Sequence, residues 1–261
     1  MKNILDYPAL VFVISFLVLW FSGLIGAFIG KRRGKLEGVE REDFDVIRTA
    51  ALTLLGLIIG FSFAMATNRY DLRKSYEEAE ANAIGTEYLR ADVLPAADAA
   101  KVRVLLLRYL DQRVLFYKTH DPQHLSQINA DTAQLQAELW SLVRASAQAQ
   151  PTPIIALVVS GMNDVLNSQG YTQAAWWNRI PIEAWALLFL IALCCNALMG
   201  YGSRNSKARA TIHPVLPLIV SISFMLIADI DTPRVGFIRV VPQNLLSLVE
   251  SLHSHPAGDA N

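Results

Sequence analysis

Residues 49 to 93 constrain this chain more than any other stretch. The segment reads TAALTLLGLIIGFSFAMATNRYDLRKSYEEAEANAIGTEYLRADV and contains no proline. From Thr49 to Asn68 twenty consecutive residues carry no charge. At about 1.5 Å per helical residue such a run covers about 30 Å, the depth of a bilayer's hydrocarbon. Beyond Arg69 charges recur every few residues up to Asp92, yet Tyr70, Ala79, Ala83, Ile84, Tyr88 and Leu89 keep apolar side chains at helical spacing. The pattern predicts one helix that starts in lipid and ends in water. A membrane span therefore passes directly into a soluble domain.

Composition agrees with a membrane protein. The chain is 53% hydrophobic and 18% charged, and the apolar excess lies in blocks rather than being spread evenly. Its 23 basic and 23 acidic residues cancel, so no global field draws nucleic acid or an acidic substrate. Cys194 and Cys195 are adjacent within an apolar run, a spacing that suits packing and neither a disulfide framework nor a zinc site. No cofactor is expected.

Taken in order, the chain predicts an all-α polytopic membrane protein with four transmembrane helices and a helical domain between the second and third. Residues 1–48 hold the first span, Ala9 to Gly30, and a loop mixing Lys31, Arg32, Arg33, Lys35, Arg41 and Arg48 with acids. The long apolar run with its basic cluster behind it favours an uncleaved span over a signal peptide. Gly23, Gly26 and Gly30 offer small residues where another helix can approach closely. Residues 49–93 form the second span and its soluble continuation.

The helical extramembrane domain occupies 94–180. Leu94-Pro95 breaks the helix, Asp98 is expected to cap the next one, and Val102, Leu105, Leu106, Tyr109, Arg113 and Phe116 share a face. Asp121-Pro122 opens a further helix, whose Leu125, Ile128, Thr132, Leu135, Leu139 and Leu142 make a coiled-coil-like seam. Ile154 to Leu166 reads as a buried or interfacial helix too short to cross, and Trp176 and Trp177 as an interfacial belt. Residues 181–232 carry the third span, with Glu183 at its mouth, then a basic loop with Arg204, Lys207 and Arg209. The fourth span runs from Ala210 to Ala228, kinked near Pro214 and Pro217. Residues 233–261 supply an amphipathic segment and a disordered tail. The basic loops place themselves inside the cell and the helical domain outside.

Enzyme signatures are missing: there is no HExxH, no glycine-rich phosphate loop after a strand and no GxSxG turn, so no catalytic and no metal residues are assigned. His120 and His124 are four apart, but Pro122 between them argues against a shared helical turn, which leaves surface histidines. Gly56, Gly60 and Ala64 recur at intervals of four, either as a packing stripe or as hinges of a gate. Asp229 and Asp231 at the edge of a span need partners or water, and Arg234 and Arg239 are near in sequence. A turn with local salt bridges is the simple reading, and a cation or lipid-headgroup site the other. Asn68 and Arg69, with Asp71, Arg73 and Lys74, either anchor the second span or ring a pore mouth.

Three blocks then carry a resemblance. LLGLIIGFSFAMATNRYDLRK, EEAEANAIGTEYLRADVLP and, after the last span, ADIDTPRVGFIRV are similar to the bestrophin-like bacterial membrane proteins of the DUF4239 group. The match covers nearly the whole chain. It implies four spans, an intervening helical domain and a place in the bacterial inner (plasma) membrane. True bestrophins are pentameric chloride channels whose second span carries a Gly-Phe pair and, nine residues after the glycine, an arginine and an aromatic. Gly60-Phe61 and Arg69-Tyr70 stand at that spacing. Bestrophins narrow the pore with apolar residues one turn apart ending at that phenylalanine. This carries over to Leu57 and Phe61, with Thr53 one turn further back departing from the apolar pattern. Bestrophins also keep the helical domain in the cytosol, opposite to the reading from loop charge.

Two functions follow as expectations. The first is a homo-oligomeric ion channel in a lipid bilayer, passing anions, with the second span lining the pore. The second is a non-conducting scaffold or sensor whose helical domain binds a protein partner through the seam at 125 to 142.

Overall fold

The computed structural model describes residues 4–33, 36–203 and 213–254. The fold is all α, with no strand among the described residues. A 3-10 turn at Ile4–Asp6 precedes α1 (Pro8–Arg33) and α2 (Val39–Arg90). A second 3-10 turn at Ala91–Val93 then leads into α3 (Ala96–Lys118), α4 (Pro122–Ala149), α5 (Pro153–Trp177), α6 (Ile182–Tyr201), α7 (Val215–Asp231) and α8 (Gln243–Ser254). Three helical stretches, Pro8–Arg33, Val39–Val93 and Pro153–Tyr201, are long and apolar enough to cross a membrane. The chain is a multi-pass membrane protein. Two compact units are present: Met1–Arg69 with Arg179–Ile238, and Tyr70–Asn178 with Arg239–Asn261.

In the first unit α2 starts at Val39 and not at Thr49, so most of the expected basic loop at 31–48 is helix. Glu40 and Glu42 sit in the first turn, where the helix dipole favours acids, and Asp45 pairs with Arg41 and Arg48 at 3.1 Å each. Lys31, Arg32 and Arg33 form the last turn of α1, the end that favours cations. Only residues 34–38 connect the two helices, and Gly38 turns the chain with a φ of +53°. Lys35 lies outside the described residues, as do Arg204, Lys207, Arg209 and the start of the expected fourth span. Among the described residues the two prolines of that span interrupt no helix. Pro214 precedes α7 and Pro217 falls in its first turn, where a missing N–H leaves no broken hydrogen bond.

The same unit is built on a close helix crossing. A Cβ on Gly26 would collide with the backbone of Ala197 on α6, and one on Gly200 would collide with the backbone of Gly23. Gly30 faces the carbonyl of Tyr201 at 2.6 Å from the same hypothetical atom. Small residues thus let two backbones touch, the main source of helix association where lipid is as apolar as leucine.

In the second unit α3 begins at Ala96, so Asp98 is in the first turn and does not cap it; its carboxylate accepts from the Ser146 hydroxyl at 2.9 Å. Asp121 does cap α4, accepting from the amides of Gln123 and His124 at 3.3 Å. The seam of α4 is used within the unit. Ile128, Thr132 and Leu139 are buried, and Leu125, Leu135 and Leu142 pack on the same core as Val102, Leu106 and Tyr109.

The fifth helix is longer than the apolar run 154–166 suggested, reaching Trp177. Its buried stripe continues past that run through Ser168, Thr172, Ala175 and Trp176 at spacings of three and four. Trp176 is accordingly not an interfacial residue. It packs edge-on against Phe116 and Tyr117, with ring centroids 5.0 and 5.4 Å away, while Trp177 is exposed. Gly26→Val is expected to force α1 from α6 and lower stability by about 1–3 kcal/mol, the usual range for overpacking, read as a drop in thermal unfolding temperature in detergent.

Candidate functional site

The exposed face of the apolar part of α2 is the first candidate. Thr53, Gly56, Leu57, Gly60, Phe61, Ala64 and Asn68 are all exposed, and their spacings of three and four put them on one side of the helix. Leu57 is 52% exposed and Phe61 62%. A Cβ on Gly56 or Gly60 would meet nothing within 4 Å, so among the described residues neither glycine packs against another helix of its own chain. The opposite side, Leu55, Ser62 and Ala66, is buried, and near its start the Cys195 thiol donates to the Ala51 carbonyl at 3.3 Å. One face of the span is thus consumed by the fold and the other is left free.

The second candidate is an ion cluster around Asp231. This carboxylate is buried and accepts from the Ile180 amide at 3.1 Å, from Arg69 at 3.4 Å, and lies 3.6 Å from Arg179. Arg179 also pairs with Asp6 and donates to the Thr232 hydroxyl at 2.9 Å, which in turn donates to the Leu5 carbonyl at 3.2 Å. One carboxylate thereby joins the N-terminal turn, the end of the α2 span, the entry to α6 and the end of α7. Asp229, also buried, does something different. Its two oxygens accept from the amides of Phe237 and Ile238 at 2.7 and 2.9 Å, which closes the chain reversal after α7. Gly236 is required there, since a Cβ would come within 2.8 Å of the Asp229 carboxylate. Arg234 sits in that reversal, half-buried.

The sequence-predicted residues therefore separate into two groups. Those at 53 to 68 share a free face, whereas Arg69 and Asp231 face each other within the fold. Asn68 is the member of the membrane-edge group on the stripe. Arg239 approaches His120 and is exposed.

Sequence reasoning passed over a set of buried charges in the helical unit. Glu80 pairs with Arg113 and also accepts from Thr172 at 3.2 Å and, at 3.5 Å, from Tyr117. Burial, and after it the Glu80 charge, pushes the Tyr117 phenol above its ordinary range. Glu77 accepts from the amide of Leu245 at 2.9 Å and from Asn244 at 2.6 Å, fixing α8 to α2. Glu87 is buried as well, without such partners. The available signal was position: charges at 73, 77, 80 and 87 fall on the same helical face as Ala81, Ile84 and Tyr88.

Asp231→Ala leaves two guanidinium groups without their shared carboxylate and is expected to destabilise the first unit by about 3–5 kcal/mol. Arg113→Met, which strands Glu80 in the interior, is expected to cost the helical unit about the same. Unfolding midpoints of the purified protein check both.

Comparison with known proteins fits this geometry. A crystal structure of a bacterial bestrophin homologue from Klebsiella pneumoniae, carrying one leucine-to-threonine substitution, superposes with a TM-score of 0.66 at 11% identity, covering 95% of this chain and 99% of that one. Another structure of the Klebsiella pneumoniae homologue gives 0.59 at 13% identity over 92% and 97%. A structure described as a membrane protein with a glycine-to-alanine substitution gives 0.62 at 13% identity over 91% and 98%. These likenesses show a common fold. No curated protein matches the chain by sequence. The profile of the Bestrophin-like domain matches residues 46–245, from the first turns of α2 into α8, and the chain belongs to the Bestrophin-like family.

Proposed function

We propose that the protein is a homo-oligomeric anion channel of the bacterial plasma membrane, with four spans in each subunit and the free face of α2 turned toward the shared axis. The observation that carries this reading is the division of that helix into a packed side at Leu55, Ser62 and Ala66 and a free side at Thr53 to Asn68. Leu57 and Phe61, one turn apart on the free side, form an apolar ring when copies surround an axis, a constriction that opens or dewets. Gly56, Gly60 and Ala64 lie beside them and keep the stripe narrow, so neighbouring copies of the helix can approach. Thr53 fits the apolar ring better than its residue type suggests. Its hydroxyl donates to the Thr49 carbonyl at 2.9 Å and is satisfied within the helix.

Asn68 ends the stripe with a neutral polar group, while Arg69 is held away from it by Asp231. Arg69 thus serves the fold, and the pore mouth is lined by Asn68. The span count rests on α7, whose 17 residues cover about 25 Å. The scaffold reading needs the seam at 125 to 142, which is covered by the helical unit's own core.

Halide flux from the purified oligomer in liposomes tests the channel. Native protein is expected to conduct above protein-free vesicles, and Phe61→Ala or Leu57→Ala to raise the rate or alter halide selectivity several-fold by widening the apolar ring. A folded, assembled oligomer that is silent in all three forms overturns it.

A further inference from the structure

Among the described residues of the helical unit, one carboxylate is buried without hydrogen-bonded compensation. Glu87 on α2 is fully buried, and neither of its oxygens has a hydrogen-bond partner. Its neighbours on the same helix show that this is particular to position 87. Glu77 is held by Asn244 and the Leu245 amide, and Glu80 by Arg113, Tyr117 and Thr172. Glu87 instead presses on Gly161 of α5, where a Cβ would collide with both its carboxylate and the Arg90 guanidinium. The contact leaves no room for a side chain at position 161.

The charges around it do not resolve the cost. Arg90, from its own helix, favours the ionised form, and Asp164, the single charged residue of α5, opposes it. In the segments that follow, Asp92 of the 3-10 turn and Arg103 of α3 pair with each other, and Arg103 also lies over the Tyr88 ring, 5.3 Å from its centroid. A buried carboxyl without donors is stable when it carries a proton, since the ionised form pays for desolvation without hydrogen bonds in return.

We propose that Glu87 is a proton-binding site of the helical unit, and that release of its proton loosens the seat of α5 on α2. Burial, then the Asp164 charge, pushes the carboxyl up to about 8, with Arg90 acting the other way. The sign follows from linkage. When α5 is released Glu87 ionises near the ordinary glutamate value, so the released form gives up its proton first as pH rises. The docked arrangement is therefore fully favoured in acid and weakens between the ordinary value and about pH 8. The midpoint places the response next to neutral pH, and it is independent of whether the chain conducts.

Hydrogen exchange of residues 153–168 in the full-length oligomer, reconstituted in lipid nanodiscs and corrected for intrinsic rates, tests the proposal. Between pH 6 and pH 9 the native protein is expected to lose protection on the order of a hundredfold, whereas Glu87→Gln, which cannot ionise, stays protected throughout. Equal pH dependence in both proteins, or none in the native one, overturns it. Should Glu87→Gln fail to assemble, Asp164→Asn decides. Removing the repelling charge is expected to make the loss of protection level off at lower pH and become smaller, and an unchanged profile overturns the proposal.

Discussion

In hydrocarbon no water is present to satisfy a peptide group, so a segment that enters a bilayer must close all of its backbone hydrogen bonds internally. For α2 this condition holds from Val39 to Arg90, and it does not relax where lipid gives way to water, since no proline or helix stop intervenes. The other elements depend on that rod. Its early turns receive Tyr201 beside Phe44 at 5.5 Å between ring centroids, and its later turns carry Glu77, Glu80 and Glu87 into the helical core. A helix shared in this way supplies different chemistry on different turns.

The two units solve the problem of cohesion with different means. Among the spans, where expulsion of water offers nothing, α1 and α6 touch through Gly23, Gly26, Ala197 and Gly200, and dispersion at short range holds them. In the helical unit the hydrophobic effect is available, and a core of Ile84, Leu106, Tyr109, Leu139 and Met162 is buried completely. The buried ion pair of Glu80 and Arg113 sits inside that core at a desolvation cost, and it fixes which turns of α2 and α3 face one another.

Much of this architecture is legible in the sequence because it follows from local periodicity. The continuous α2 and the Asp121 cap each rest on residues no more than a few turns apart. What was misread also has a local cause. The apolar run ending at Leu166 understated α5 because its later turns alternate buried Thr172 and Trp176 with polar residues, and run length ignores such a stripe. Charged residues before Thr49 suggested a loop, although they pair along a helix. The cluster at Asp231 was beyond reach, since Arg69 is 162 residues away along the chain and proximity in sequence pointed to Arg234 and Arg239. Membership of the Bestrophin-like family gives the fold a context that those distances alone do not.

The Asp231 cluster has a consequence for the order in which the protein is made. Synthesis proceeds from the N-terminus, so Asp6, Arg69 and Arg179 all leave the ribosome before the carboxylate that gathers three of their segments exists. Until α7 has emerged, Arg69 and Arg179 remain without it, and the segments that carry them are free to adjust in depth and rotation. Residue 231 acts as a keystone set last, and a nascent chain truncated before it has its spans inserted but not yet locked together.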